Sequence, residues 1–300
     1  MIRFLTRRLA FTFLMIVAII FTCLLVVHMA ASGGEAPLLD TAKEALTGSG
    51  EYLWDAIHGD LGMAIASRYR MEPTTTLLAR TYPKSMGLLL VALFLAALVG
   101  VPLGTLAALK RHSRLSPVVV TTSILGISAP SFFVAMLLQI AELLFYKSTG
   151  VRLLPLFGFG WDRHLLLPAL ALAAAPTARI ARLTYITLSD VLEKEYMRTA
   201  HAKGLGAWAI LLRHAFSNAA IPILTSLGVS IRQSLSVLPV VEYFFSWPGV
   251  GLQLLRSLRW FDARAVTGLV LSLGVTFLLV NLALEILYRR FDPKLRASVR

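Results

Sequence analysis

Four runs of the chain contain no Asp, Glu, Lys or Arg: Leu9 to Gly34, Ser85 to Leu109, Leu115 to Ala141 and Ala265 to Leu284. Each is long enough for an α-helix, rising about 1.5 Å per residue, to cross a hydrocarbon core of roughly 30 Å. Two further spans are expected if basic side chains are tolerated. One runs from Leu165 to about Ser189 with Arg179 and Arg182 near its end, the other from Ala219 to about Phe245 with Arg232 inside it. Long basic side chains near a helix end can reach the headgroups. The expected class is therefore all-α, a polytopic membrane protein with six transmembrane helices. Composition agrees: 57% of residues are hydrophobic and 15% charged, against about 45–50% and about 25% in soluble domains.

The same numbers exclude other classes. Disorder needs low hydrophobicity, collagen needs a glycine period, and a disulfide scaffold needs more than the single Cys23. A net charge of +13 would suit nucleic acid if gathered on one solvated face, but its distribution follows topology. With both termini inside, 17 of the 29 basic residues fall in inner segments and 11 in outer ones, while acidic residues divide 5 inside and 11 outside. That asymmetry predicts an N-in, C-in chain. Arg3, Arg7, Arg8, an apolar run and Met29-Ala30-Ala31 imitate a cleavable signal, but the run exceeds the usual 7–15 residues; a retained first helix is expected.

The expected organisation is a tail and first helix at 1–34, an outer loop at 35–84 with a short helix or two, and a five-helix core at 85–300. Gly100 and Gly104, spaced four apart, suit close helix packing. No lysine follows a glycine, so the phosphate loop of an ATPase is absent from the sequence. The six histidines show no spacing with His, Cys or acids that suits a metal, and none is expected. Ion-coupled carriers hold acids at mid-membrane, whereas Glu142, Glu242 and Glu285 fall at expected span ends.

The polar stretch from Asp190 to Asn218 reads as two short amphipathic helices about a bend at Gly204 and Gly206. Its run Tyr196-Met-Arg-Thr-Ala-His-Ala-Lys-Gly204-Leu, followed by Leu212-Arg-His-Ala215 and Asn218-Ala-Ala-Ile-Pro222, resembles the inner-membrane permease subunits of ABC importers of the dipeptide, oligopeptide and nickel type. In the same order come Arg3-Phe-Leu-Thr-Arg-Arg8, Gly59-Asp-Leu-Gly62, Gly100-Val-Pro-Leu-Gly104, Ser128-Ala-Pro-Ser-Phe132, Leu166-Leu-Pro-Ala169, Phe245-Ser-Trp-Pro-Gly-Val-Gly251 and Asp292-Pro293. The chain departs from the pattern in its shortened outer loop, Ser32-Gly-Gly-Glu-Ala-Pro37, and in Ser234, Ser236 and Leu238, where relatives are Gly-rich.

The resemblance implies a multi-pass protein of the bacterial inner (plasma) membrane. It would form half of a translocation path for peptides, a related small solute or a nickel complex. It would have no cofactor and no catalytic residue of its own. Partners would be a second homologous permease, two ATPase subunits that bind ATP and Mg, and an extracytoplasmic binding protein. A stand-alone facilitator or channel is the alternative, and a structural anchor has no specific feature in its favour. The expected ATPase-coupling residues are Glu195, Tyr196, Arg198, Thr199, Ala200, Lys203, Gly204, Leu205 and Trp208, with bulk at Ala200 disturbing docking but not folding. The fifth span is expected to line the path with Ser226, Ser230 and Ser234, recurring every four residues, flanked by Arg232 and Gln233. Arg232 should face the path or the partner permease, or else snorkel toward the headgroups or pair with Glu242. Pro130, Pro222 and Pro239 are candidate kinks, and as hinges they would let a helix interchange between two packings.

Overall fold

The computed structural model describes residues 2–33, 37–67 and 70–291. The Asp292-Pro293 motif and residues 34–36 of the outer loop lie outside these, as do the side chains of Arg3, Arg7 and Arg8. Helix α1 (Ile2–Ala31) is followed by α2 (Leu38–Ile57), a hairpin of β1 (Met63–Ser67) and β2 (Arg70–Pro73), α3 (Thr74–Leu109), α4 (Leu115–Ser128) and α5 (Ser131–Thr149). Then come α6 (Leu166–Leu192), entered through a 3-10 turn at Arg163–Leu165, α7 (Glu195–Ala202) and α8 (Ala207–Ala209). A π-helical segment, Ile210–Ala215, leads into α9 (Phe216–Phe244), followed by α10 (Val250–Arg259) and α11 (Ala263–Phe291).

Among the described residues six helices are long and apolar enough to cross a membrane, the expected number. The third span differs from expectation. In place of one helix from Leu115 to Ala141, the chain breaks at Ala129, extended at φ −71°, ψ 124° before Pro130. Proline disfavours the helical conformation in its predecessor and supplies no N–H. The membrane-length helix is α5, running on to Thr149. Glu142 consequently lies within α5 and not at its end; buried, it accepts the amides of Leu153 (2.8 Å) and Leu154 (3.0 Å) and folds the following loop back onto the helix. Pro222 and Pro239 stand inside an uninterrupted α9, and Pro176 inside α6.

The chain divides into two compact units. The first comprises residues 1–87 and 246–280. Its outer part is richer than the expected loop, since α2 alone is 20 residues long. Thr41, Ala45, Ser49 and Tyr52 of α2 are buried, at the four- and three-residue spacings of one helix face. Ala45 and Tyr52 pack with Ile20 and Leu24 of α1. Gly59 and Gly62, at φ +86° and +76°, make the turn of the Gly-Asp-Leu-Gly motif, where Asp60 Oδ1 accepts the Gly62 amide at 2.7 Å. The antiparallel hairpin that follows is held by Asp262 Oδ2, which accepts the Ile65 amide (2.9 Å), and by Gln253 Nε2, which donates to the Ile65 carbonyl (3.3 Å). The Phe-Ser-Trp-Pro-Gly motif is a buried anchor. Trp247 is fully buried and donates through Nε1 to the Lys84 carbonyl (3.1 Å), while Ser85 Oγ accepts the Val250 amide (2.8 Å).

The second unit comprises residues 88–245 and 281–300. Its centre is the packing of α6 on α9, with α4 and α5 also against α6. Small residues set the approach of α3 and α6. A Cβ at Gly100 would lie 2.9 Å from the Thr177 carbonyl oxygen and 3.0 Å from Ile180 Cβ, and one at Gly104 would overlap the Ala181 carbonyl and lie 2.7 Å from Thr184 Cβ. The pair does serve close packing, as its spacing suggested. Arg111 joins the turn after α3 to the end of α6, through Glu193 (3.3 Å) and the Ser189 carbonyl (3.5 Å).

Candidate functional site

Two features of the second unit coincide with the expected coupling and path residues. Helix α7 is amphipathic. Met197 and Ala200 are buried with Ala108, Leu188, Val191, Ile210, Leu211 and Ala215, whereas Glu195, Tyr196, Arg198, Thr199, Lys203, Leu205 and Trp208 are exposed. The inward residues are three apart, so one face of a two-turn helix is fixed and the other is left free. Gly204 adopts φ +76°, a conformation glycine enters without the penalty of a Cβ. The Lys203 amide donates to the Thr199 carbonyl (3.1 Å) and the Leu205 amide to that of Ala200 (3.4 Å), closing the helix. The bend falls where the sequence placed it, and its second arm is continuous with α9 through the π segment.

Ala200 alters one expectation. Its side chain is 6% exposed and belongs to the chain's own core. A carboxylate there would be buried against Leu188 and Ile210 at a cost of several kcal/mol, so Ala200→Glu disturbs folding before docking.

The face of α9 is also distributed differently from expectation. Ser226, Ser230 and Ser234 are all buried, at 2%, 0% and 3% exposure, on the side of the helix away from solvent. Ser226 Oγ donates to the Ile223 carbonyl (2.7 Å), and the hydroxyls of Ser230 and Ser234 have no partner among the described residues. Between residues 225 and 240 the exposed positions are Thr225, Val229, Gln233, Ser236 and Val240, which at about 100° per residue form one stripe. The serines border one edge of this stripe and Arg232 the other. Arg232 does not pair with Glu242; it donates through Nη1 to Asn281 Oδ1 of α11 at 3.3 Å.

Two cavities run beside α9, sharing Ile127 in their walls. One, of about 200 Å³, lies at the break between α4 and α5 and is lined by Ser128, Pro130, Ser131, Pro176, Gln233 and Ser234 among others. The second, of about 410 Å³, is lined by Ile127, Arg179, Arg182, Leu183, Ile186, Thr225, Ser226 and Val229. The Ser-Ala-Pro-Ser-Phe motif therefore shapes a cavity wall, and Pro176, Arg179 and Arg182 are cavity-lining residues that were not among the expected site residues. Pro176 carried a signal, a proline inside an apolar run.

Six spans, an amphipathic exposed helix between two of them and paired cavities along a membrane-length helix describe a multi-pass helical transport subunit. The sequence model for binding-protein-dependent transport system inner membrane components matches residues 100–297. The dipeptide transport system permease protein DppB of Escherichia coli (strain K12) is 32% identical over 271 residues, covering 82% of this chain and 79% of its own. The glutathione transport system permease protein GsiC of Escherichia coli O6:H1 (strain CFT073) is 33% identical over 245 residues, covering 82% and 78%. Among solved structures, a chain of the MetNI methionine ABC transporter in an inward-facing conformation superimposes with a TM-score of 0.56 at 15% identity, over 74% of this chain and 99% of that one. That likeness is one of fold.

The chain belongs to the family of binding-protein-dependent transport system inner membrane components. It is a permease subunit of an ABC importer, multi-pass in the inner membrane, and works with ATPase and substrate-binding subunits; ATP hydrolysis belongs to those ATPases.

Proposed function

We propose that this subunit carries peptides, forming one half of the path beside a second homologous permease, with two ATPases docked on the exposed face of α7. An extracytoplasmic binding protein delivers the peptide, and ATP and Mg are bound in the ATPases. The observation that carries this reading is the division of α7 into a buried face, Met197 and Ala200, and an exposed face, Glu195, Tyr196, Arg198, Thr199 and Lys203. A helix clamped on one side and free on the other transmits a push from a docked partner into α9 through the turn at Gly204. Peptide cargo is favoured by the relatives named for dipeptide and glutathione transport. The path side of α9 is the stripe Thr225, Gln233 and Ser236, whose polar side chains would be unfavourable against lipid.

The test is purification through this chain, followed by reconstitution into proteoliposomes. The reading expects two ATPases and one further permease to copurify, and dipeptide uptake that requires both ATP and the binding protein. Uptake by this chain alone, independent of ATP, would establish the facilitator instead.

A further inference from the structure

The structure assigns a carboxylate-binding site to Arg179 and Arg182 of α6, in the larger cavity beside α9. This rests on the importer reading above and names the group of the cargo that the path holds. Both arginines were expected near the end of a span, where they could reach the headgroups. In the structure α6 with its entry turn runs from Arg163 to Leu192, bounds close to those expected, and Arg179 lies near the midpoint of that helix with Arg182 less than one turn further. Arg179 is half-buried and Arg182 exposed; Arg179 Nη1 is closed off and makes no hydrogen bond among the described residues. A guanidinium in that position is costly unless something anionic completes it. The two arginines are also three residues apart on one helix face, where like charges repel.

The cavity supplies the rest of an anion site. Its volume, about 410 Å³, lies in the range of small-molecule sites. Thr225 and Ser226 stand in the same wall as the arginines, but their hydroxyls already donate to the Ile221 (2.9 Å) and Ile223 (2.7 Å) carbonyls, so the guanidinium groups are the donors this wall offers. Ile127, Leu183, Ile186 and Val229 make the remainder apolar, a low-dielectric surround that strengthens charge pairing. A carboxylate held between two arginines would relieve their repulsion and meet the planar donor fork of each. Ile127 also lines the smaller cavity, whose wall includes Ser128, Ser131 and Gln233. A row of polar side chains leads toward the arginines, which argues for a solute in transit over the acyl chains of a lipid.

The experiment uses the importer with its cognate subunits, reconstituted in proteoliposomes, and compares uptake of dialanine with that of its C-terminal amide at saturating binding protein. In the parent, dialanine should be carried faster than the amide. Arg179→Gln and Arg182→Gln should each lower the maximal dialanine rate about tenfold or more and leave the amide rate unchanged, while Arg179→Lys should recover part of the loss. Equal losses for both probes would mean a structural role and overturn the site. So would a defect seen only in vesicles containing phosphatidylglycerol, which would identify a lipid headgroup as the anion. If the parent carries neither probe, the peptide reading fails. The arginine site is then read separately, by modification with phenylglyoxal in the purified complex followed by mass spectrometry. Millimolar dialanine should slow modification of Arg179 and Arg182 where the amide does not, and equal rates would overturn the assignment.

Discussion

At the scale of single residues, the glycines separate two kinds of constraint. Gly104 has no room for a Cβ, because the Ala181 carbonyl and Thr184 occupy the space. Gly104→Ala should therefore destabilise the purified protein by about 1–3 kcal/mol through overpacking, and Gly104→Val should prevent its accumulation. Gly50 of α2 has nothing within 4 Å of an added Cβ, and Gly50→Ala should stabilise by up to about 1 kcal/mol by lowering backbone entropy in the unfolded chain. Thermal melts in detergent check the contrast, and equal shifts of the same sign would contradict it. A second residue-scale effect is set by pH. The backbone amide of His164 (3.0 Å) and its ring Nδ1 (2.7 Å) both meet Asp162 Oδ1 and hold that carboxyl below the usual range. A depressed carboxyl stabilises the folded turn fully above the ordinary value of about 3.9 and loses that contribution as pH falls below it. The turn entering α6 should thus loosen in acid. Fluorescence of neighbouring Trp161 should change on titration below about pH 4 and lose that change in Asp162→Asn; an unchanged titration would remove Asp162 from the account.

At the scale of elements, the sequence was most readable where apolar length decided the outcome and least where one residue did. Six spans follow from the cost of charge in hydrocarbon, and the bend at Gly204 from a glycine pair interrupting a helical period. The break at Ala129 followed from Pro130 alone, yet Pro222 and Pro239 leave α9 unbroken, so proline by itself could not say which helix would end. The hairpin at 63–73 is short and was invisible to span counting. Its register depends on Asp262 and Gln253, almost 200 positions away in sequence. Helix α7 combines both cases: its amphipathicity was legible, but the inward turn of Ala200 was not, since alanine suits either face. This gives a sharper prediction about coupling. Arg198→Glu and Trp208→Ala alter exposed positions and should leave stability within about 0.5 kcal/mol. If the exposed face docks the ATPase, they should lower peptide-stimulated ATP hydrolysis about tenfold or more, as truncations at interface anchors do. Ala200→Glu should fail earlier, as a loss of folded protein. Normal stimulation in both exposed variants would remove α7 from the coupling path.

At the scale of the whole molecule, the question is which way the chain faces, because α7 can meet a cytoplasmic ATPase only from the cytoplasmic side. Charge argues for both termini inside: leaving out Arg179 and Arg182, which lie within α6, 15 of the 29 basic residues lie in the segments this assigns to the cytoplasm, with only 5 of the 16 acidic ones. The contacts within each unit agree with that grouping. In the second unit Arg111 of the 110–114 turn bonds Glu193 beside α7, which joins two segments assigned inside. In the first, Asp262 and Gln253 hold the hairpin, which joins two segments assigned outside. Neither unit brings an inner segment against an outer one in these bonds, so an inverted chain would keep every contact and reverse only the charge. Labelling therefore decides between the two. With Cys23 replaced by Ser, a cysteine at exposed Trp54 of α2 should react with an impermeant maleimide in intact cells, and one at Lys203 only after the inner face is opened. The reverse pattern would place Glu195, Arg198 and Lys203 outside, beyond reach of any ATPase, and would overturn both the orientation and the coupling role of α7 together. Reaction of both sites from outside would instead contradict the six-span count, since α3, α5 and α6 lie between residues 54 and 203 and three crossings put the two sites on opposite sides.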